Sequence, residues 1–204
     1  MSKYYINIRI IAMIMLSAGV AYLLVPQFLK AQTIYRLFAV KDMVVKVTGT
    51  SNLNDWSMTS MESKSRGSFE FGNNGQLIRL SALNFSIPVR SLRSGDSTMD
   101  KRAYKELKAD QFPNITFTLD SSVIKMIQKN SYDLTAKGTL TIGGVSRMIH
   151  MKVNGVLGTN NTISFRGSKR ISLSDYQIKS PGMMFGVFKV NDSVTVNYIL
   201  TYNK

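Results

Sequence analysis

The chain has no cysteine, one histidine, one tryptophan and four prolines among its 204 residues. Without cysteine there are no disulfides, thiolate metal sites, iron–sulfur clusters or cysteine nucleophiles. His150 alone cannot hold zinc or copper without clustered carboxylates, and no acid pair stands at ligand spacing. Neither G-x-G-x-x-G nor a Walker loop occurs. Asp55, Asp100 and Asp110 are accounted for as turn and cap residues. Hydrolysis through Asp55 and His150 is the remaining catalytic alternative. The expectation is a protein without enzymatic activity, metal or cofactor.

Acidic residues are also scarce: 12 Asp and Glu face 26 Lys and Arg, a net charge of +14. Such an excess invites a nucleic-acid reading. Lys3, Arg9 and Lys30 belong to an N-terminal leader, however, leaving 23 basic against 12 acidic residues, or +11. Those positives are scattered, with no run of five or six. A solvated basic face fits this better than nucleic-acid binding, and contact with an anionic membrane surface lies between the two.

One long apolar run exists. Ile10 to Val25, sixteen residues closed by Pro26, follows Lys3 and Arg9. That is short of the roughly 20 residues that span a bilayer core. Positive start, short apolar stretch and nearby small residue are the parts of a secretory signal. The expected cut follows Ala31, making residues 1–31 a signal helix and 32–204 one domain. Leu29 is large for the −3 position, so an uncleaved anchor is the alternative. A lipoprotein anchor is excluded by the missing cysteine. The expected location is the periplasm or outside the cell.

Hydrophobic residues make up 44% of the chain and charged residues 19%, an ordinary globular balance. The clearest local signal is a hairpin from Tyr132 to Leu157. Leu134, Ala136, Leu140 and Ile142 alternate with polar residues up to Gly143-Gly144. Two glycines between such runs supply the positive φ of a primed turn. A two-residue loop pairs Ile142 with Val145, Gly138 with Ile149, Ala136 with Met151 and Leu134 with Val153 on one apolar face. Thr141 with Ser146, Lys137 with His150, and Thr135 with Lys152 occupy the other. Arg147 opposite Leu140 is the misfit, near enough to the turn to reach water. A one-residue slip would invert every side chain.

Elsewhere the chain reads as strands. Val45 and Val47 alternate in the first, and Ser57 to Phe71 reads as a hairpin or a bent strand pair. Between them, a turn leads to Trp56, read as a plug for one end of a core in preference to a ligand-stacking ring. In Gln76 to Arg90 the apolar phase changes from Ile78, Leu80 and Ala82 to Leu83, Phe85, Ile87 and Val89, which implies a bulge or a bend. Ser97 to Asp110 is the one helix expected beyond the leader, with Ser97 as cap, Asp100 in the first turn, and Met99, Ala103 and Leu107 on one side. Such a short helix in a β chain is expected to lie across a barrel end. Ile115, Phe117 and Leu119 mark a strand, as do Ile163, Phe165, Ile171 and Leu173, and then Val194 to Tyr202. Ser180 to Phe188 carries Met183, Met184 and Phe185, more apolar bulk than a solvated loop needs. It reads as a plug or as an adaptable ligand surface. About eight strands, antiparallel and all-β, are expected to close a barrel.

Five stretches carry a resemblance: Gly49-Thr50-Ser51-Asn52-Leu53-Asn54-Asp55-Trp56, Ser91-Leu92-Arg93-Ser94-Gly95, Met99 to Lys108, Phe112-Pro113-Asn114-Ile115-Thr116-Phe117, and Gly138 to Val145. In order and spacing, from about residue 40 onward, the chain resembles the YceI-like family of exported, lipocalin-like antiparallel barrels. It departs at Asn54, where many relatives have histidine, and at Asp100-Lys101, where some have Arg-Asp. The resemblance implies an apolar tunnel holding a polyisoprenoid, such as a quinone tail or prenyl lipid. Phe85, Ile87, Phe117, Leu140, Phe165 and Tyr198 are the candidate liners, with Met183, Met184 and Phe185 as a gate. The alternative is an envelope interaction module with a filled core, docking on a protein partner or an anionic membrane.

Overall fold

The Gly143-Gly144 turn forms as its residues require, with φ of 56° and 83°. Around it, every pairing expected of the central hairpin is present, from Ile142↔Val145 through Lys137↔His150 to Leu134↔Val153. The computed structural model describes residues 34–159, 162–179 and 190–203. The leader and the Met183-Met184-Phe185 loop therefore lie outside the described residues. All elements below belong to the unit Thr33–Lys204.

Nine antiparallel strands follow in chain order: β1 Ile34–Ser51, β2 Asp55–Ser60, β3 Lys64–Phe71, β4 Leu77–Pro88, β5 Asn114–Gln128, β6 Ser131–Ile142, β7 Val145–Leu157, β8 Thr162–Ser172 and β9 Val190–Asn203. One helix, α1 Ser97–Glu106, stands between β4 and β5. The ladder runs from β1 through β3 to β9 in order, and β9 pairs again with β1, closing a ring of eight. The ninth strand arises because β2 and β3 share one edge of β1. Val45 to Thr50 pair with β2, and Ile34 to Ala39 with β3. Ser57 to Phe71 is thus not a hairpin. It is one run along β1, broken at Met61-Glu62-Ser63.

The phase change in β4 has two causes instead of one. Its register with β3 slips between Ser68 and Phe69 and again between Glu70 and Phe71. Each slip inserts one residue into β4, so the buried positions become Leu77, Leu80, Leu83 and Ile87. Ile78 and Ala82, expected inside, point outward, and Ile78 is 49% exposed.

The ring is not uniformly laddered. Pairing of β7 with β8 covers only Val153 to Leu157 against Ile163 to Gly167. Past Gly167 the two strands part.

α1 is shorter than expected and is capped one residue earlier. Asp96 has the extended backbone a cap needs, and its carboxylate accepts from the Thr98 and Met99 amides, while Ser97 is already helical. The Tyr104 hydroxyl donates to the Leu92 carbonyl at 2.7 Å, tying the helix to the segment after β4. Asp100 is buried and accepts from both the amide and the hydroxyl of Ser94. Asp100→Ala would strand the Ser94 amide, and an expected loss of about 1–3 kcal/mol should lower the urea midpoint. Asp100→Asn, which keeps an acceptor, should lose less.

Candidate ligand cavity

Register arranges the inward side chains of β8, β9, β1 and β2 in levels. Phe165, Leu200 and Met43 form one level. Gly167, Tyr198, Val45 and Ser60 form the next, then Lys169, Val196, Val47 and Met58, then Ile171, Val194, Gly49 and Trp56. The lowest end is solid. Phe69 is 0% exposed and stacks on Phe165 at 5.8 Å, and both rings meet Tyr202 edge-on at 6.0 and 5.9 Å. Phe71, Leu77, Tyr132, Leu134 and Ile163 complete this plug.

Above the plug the interior is open. An apolar cavity of about 490 Å³ lies inside the barrel, within the roughly 300–1,000 Å³ of ligand pockets. One wall is Leu83, Phe85, Ile87, Ile115, Phe117 and Leu140, and the facing wall includes Val45, Val47, Val196, Tyr198 and Leu200. At the Trp56 end, Met99 and Ala103 of α1 and its C-cap Leu107 border it, as do Ile171, Leu173 and Ile178. The rim adds polar groups: Ser51, Asn54, Asp55, Asp96, Arg102 and Glu106.

Five of the sequence candidates, Phe85, Ile87, Phe117, Leu140 and Tyr198, face this cavity. Phe165 does not; it belongs to the plug. Met183, Met184 and Phe185 are outside the described residues. Trp56 borders the cavity and packs in both smaller clusters at that end. His150 is exposed, as is Arg147. Among the described residues no three His, Asp or Glu side chains gather as a metal site would require.

Sequence reasoning missed Lys169. It is half-buried on the inward row Ile163, Phe165, Gly167, Lys169, Ile171 and lines the cavity. The period of two through Phe165 and Ile171 carried that signal.

Tyr198 lies across Gly167, where a Cβ would collide with its hydroxyl, and that hydroxyl reaches only the Met151 sulfur at 3.9 Å. Burial pushes the Tyr198 and Tyr202 hydroxyls from 10.0 up to about 12, a rise that the Ser65 hydrogen bond to Tyr202 partly offsets. Since the folded values exceed the unfolded one, this stabilisation is complete below pH 10 and is lost as pH rises through about 12. An alkaline titration of phenolate absorbance should leave both silent until the barrel unfolds. The double variant Tyr198→Phe, Tyr202→Phe should remove that late step.

A family model for the YceI-like domain matches residues 29–202. The chain belongs to the YceI-like family. Solved structures of similar fold include BcnA of Burkholderia cenocepacia, 20% identical with a TM-score of 0.60, covering 78% of this chain and 95% of that one. A polyisoprenoid binding domain from Saccharophagus degradans is 13% identical with a TM-score of 0.58, covering 81% and 97%. The Campylobacter jejuni YceI protein is 20% identical with a TM-score of 0.51, covering 70% and 84%. No curated protein matches. At these identities the likeness shows a shared fold: the lipocalin-like barrel expected from the sequence, here with nine strands and one helix among the described residues.

Proposed function

We propose that this YceI-like protein is an exported, non-enzymatic carrier that sequesters an isoprenoid-type lipid, a quinone or polyprenyl chain, in its barrel. The observation that carries the reading is the apolar cavity of about 490 Å³ between the aromatic plug and Trp56. Burial of a chain there supplies affinity at about 0.8 kcal/mol for each CH₂ removed from water. The residues proposed to touch it are Phe85, Ile87, Phe117, Leu140 and Tyr198, with Met183, Met184 and Phe185 proposed as its gate; Phe165 supports it from below. Mass spectrometry of an organic extract of natively purified protein should recover such a lipid in near-stoichiometric amount. Repeated extracts without lipid would overturn the reading. Lys3, Arg9 and Ile10 to Val25 support export to the periplasm, and a mature protein beginning at Gln32 is the result expected from terminal sequencing.

A membrane-docking role finds support in the tip of the β5–β6 hairpin. Val123, Met126 and Ile127 are 70%, 45% and 54% exposed, and Lys125 and Lys129 flank the last two. Apolar side chains beside lysines suit the interface of an anionic bilayer. Vesicle binding that disappears at about 0.5 M salt, with no lipid taken up, would favour docking over carriage.

A further inference from the structure

Lys169 stands at a level of the wall whose other members are Val196, Val47 and Met58. Among the described residues it has no ion pair, and no hydrogen bond satisfies its ammonium group. One level towards the plug, the Tyr198 hydroxyl has only a thioether as acceptor. One level towards the rim, the Trp56 indole N–H is buried without any acceptor. Three donors therefore occupy successive levels of one apolar cavity, and the described residues supply none of them with an oxygen. Buried polar groups are ordinarily satisfied, and a lysine facing an apolar wall carries a charge that calls for a counter-charge.

We propose that the adjacent Lys169 and Tyr198 levels form a receptor for the head end of the cargo, and that this end is an anionic oxygen group, a phosphate or a carboxylate on an isoprenoid chain. The proposal rests on the carriage reading above and specifies its ligand. A neutral quinone carbonyl would satisfy Tyr198 or Trp56 but would leave the Lys169 charge uncompensated. The acids that line the cavity, Asp55, Asp96 and Glu106, belong to the rim and to the α1 segment, and Asp96 is engaged in capping. These three acids outnumber the one rim cation, Arg102, so they disfavour an anion at the rim and leave the Lys169 level as its place. The net positive charge of the chain draws the same class of ligand from solution.

The test uses delipidated full-length protein and three probes with one chain: farnesol, farnesyl phosphate and farnesoic acid. Trp56, the sole tryptophan, borders the cavity and reports binding by its fluorescence. The phosphate, the carboxylate or both should bind about ten- to a hundredfold more tightly than the alcohol, the range one charge-assisted hydrogen bond supplies. Which anion is preferred identifies the source. In Lys169→Met the ratio of anion to alcohol affinity should fall to near one, and Lys169→Arg should keep most of it. An anion preference that survives Lys169→Met arises from surface charge and overturns the proposal. Equal binding of all three probes overturns it while leaving carriage intact. Binding of none removes carriage itself, and the receptor with it.

Discussion

Leu140→Trp combined with Val196→Trp is expected to abolish lipid uptake while the barrel stays folded. Both side chains are half-buried and face the cavity from opposite walls. Enlarging them fills space that is empty, so the strain of forcing extra atoms into a packed core is avoided. Displacing only about three CH₂ groups of cargo forfeits about 2.4 kcal/mol, more than fiftyfold in affinity. Fluorescence titration or extraction followed by mass spectrometry measures the loss, and an unchanged circular-dichroism melt shows that the fold persists. Full uptake by the double variant would mean that the cargo lies elsewhere.

Phe69→Ala should produce the largest loss of stability available by a single substitution in the plug. The ring is 0% exposed and touches two other aromatic rings. Truncating such a side chain costs about 3–5 kcal/mol, the transfer of its atoms plus the hole left behind. For a domain of this size that corresponds to roughly 6–20 °C in Tm. Phe117→Ala should cost less although Phe117 is only 5% exposed, because one side of that ring already faces empty volume and has fewer contacts to lose. Urea melts of the two variants provide the comparison. Equal losses would show that the upper half is packed as tightly as the plug.

The contrast between these two phenylalanines also shows what was legible in the sequence. Alternation identifies the face of a strand that turns inward, and the whole register of β6 and β7 followed from it and from two glycines. Depth along the barrel has no such periodicity. Phe165 and Phe117 both read as inward, yet one closes the floor and the other lines the chamber. Ile78 failed for a related reason: its side was read by parity from Leu80, and Ile78 is itself the residue inserted by one of the two bulges in β4. Asp96 was overlooked as the cap because Ser97 is an equally good cap by residue type, and only the backbone turn at Gly95, with φ of 90°, distinguishes them. Lys169 was legible by parity alone. Its positive charge drew it into the solvated basic face, while its neighbours two residues away on either side, Gly167 and Ile171, place it inside.

The parting of β7 from β8 beyond Gly167 bears on the tempo of exchange. Prising apart a fully laddered wall means breaking several backbone hydrogen bonds together, a local opening event on the microsecond-to-second scale. Along this seam the described strands have no such bonds to break. In the carriage reading proposed above, a cargo using this seam would have to displace side chains such as Met151, Lys169 and Tyr198, which line the cavity, and not a backbone ladder. On that reading, turnover of the proposed cargo is limited by its own departure from the oily chamber, and the shell of the container can remain rigid throughout.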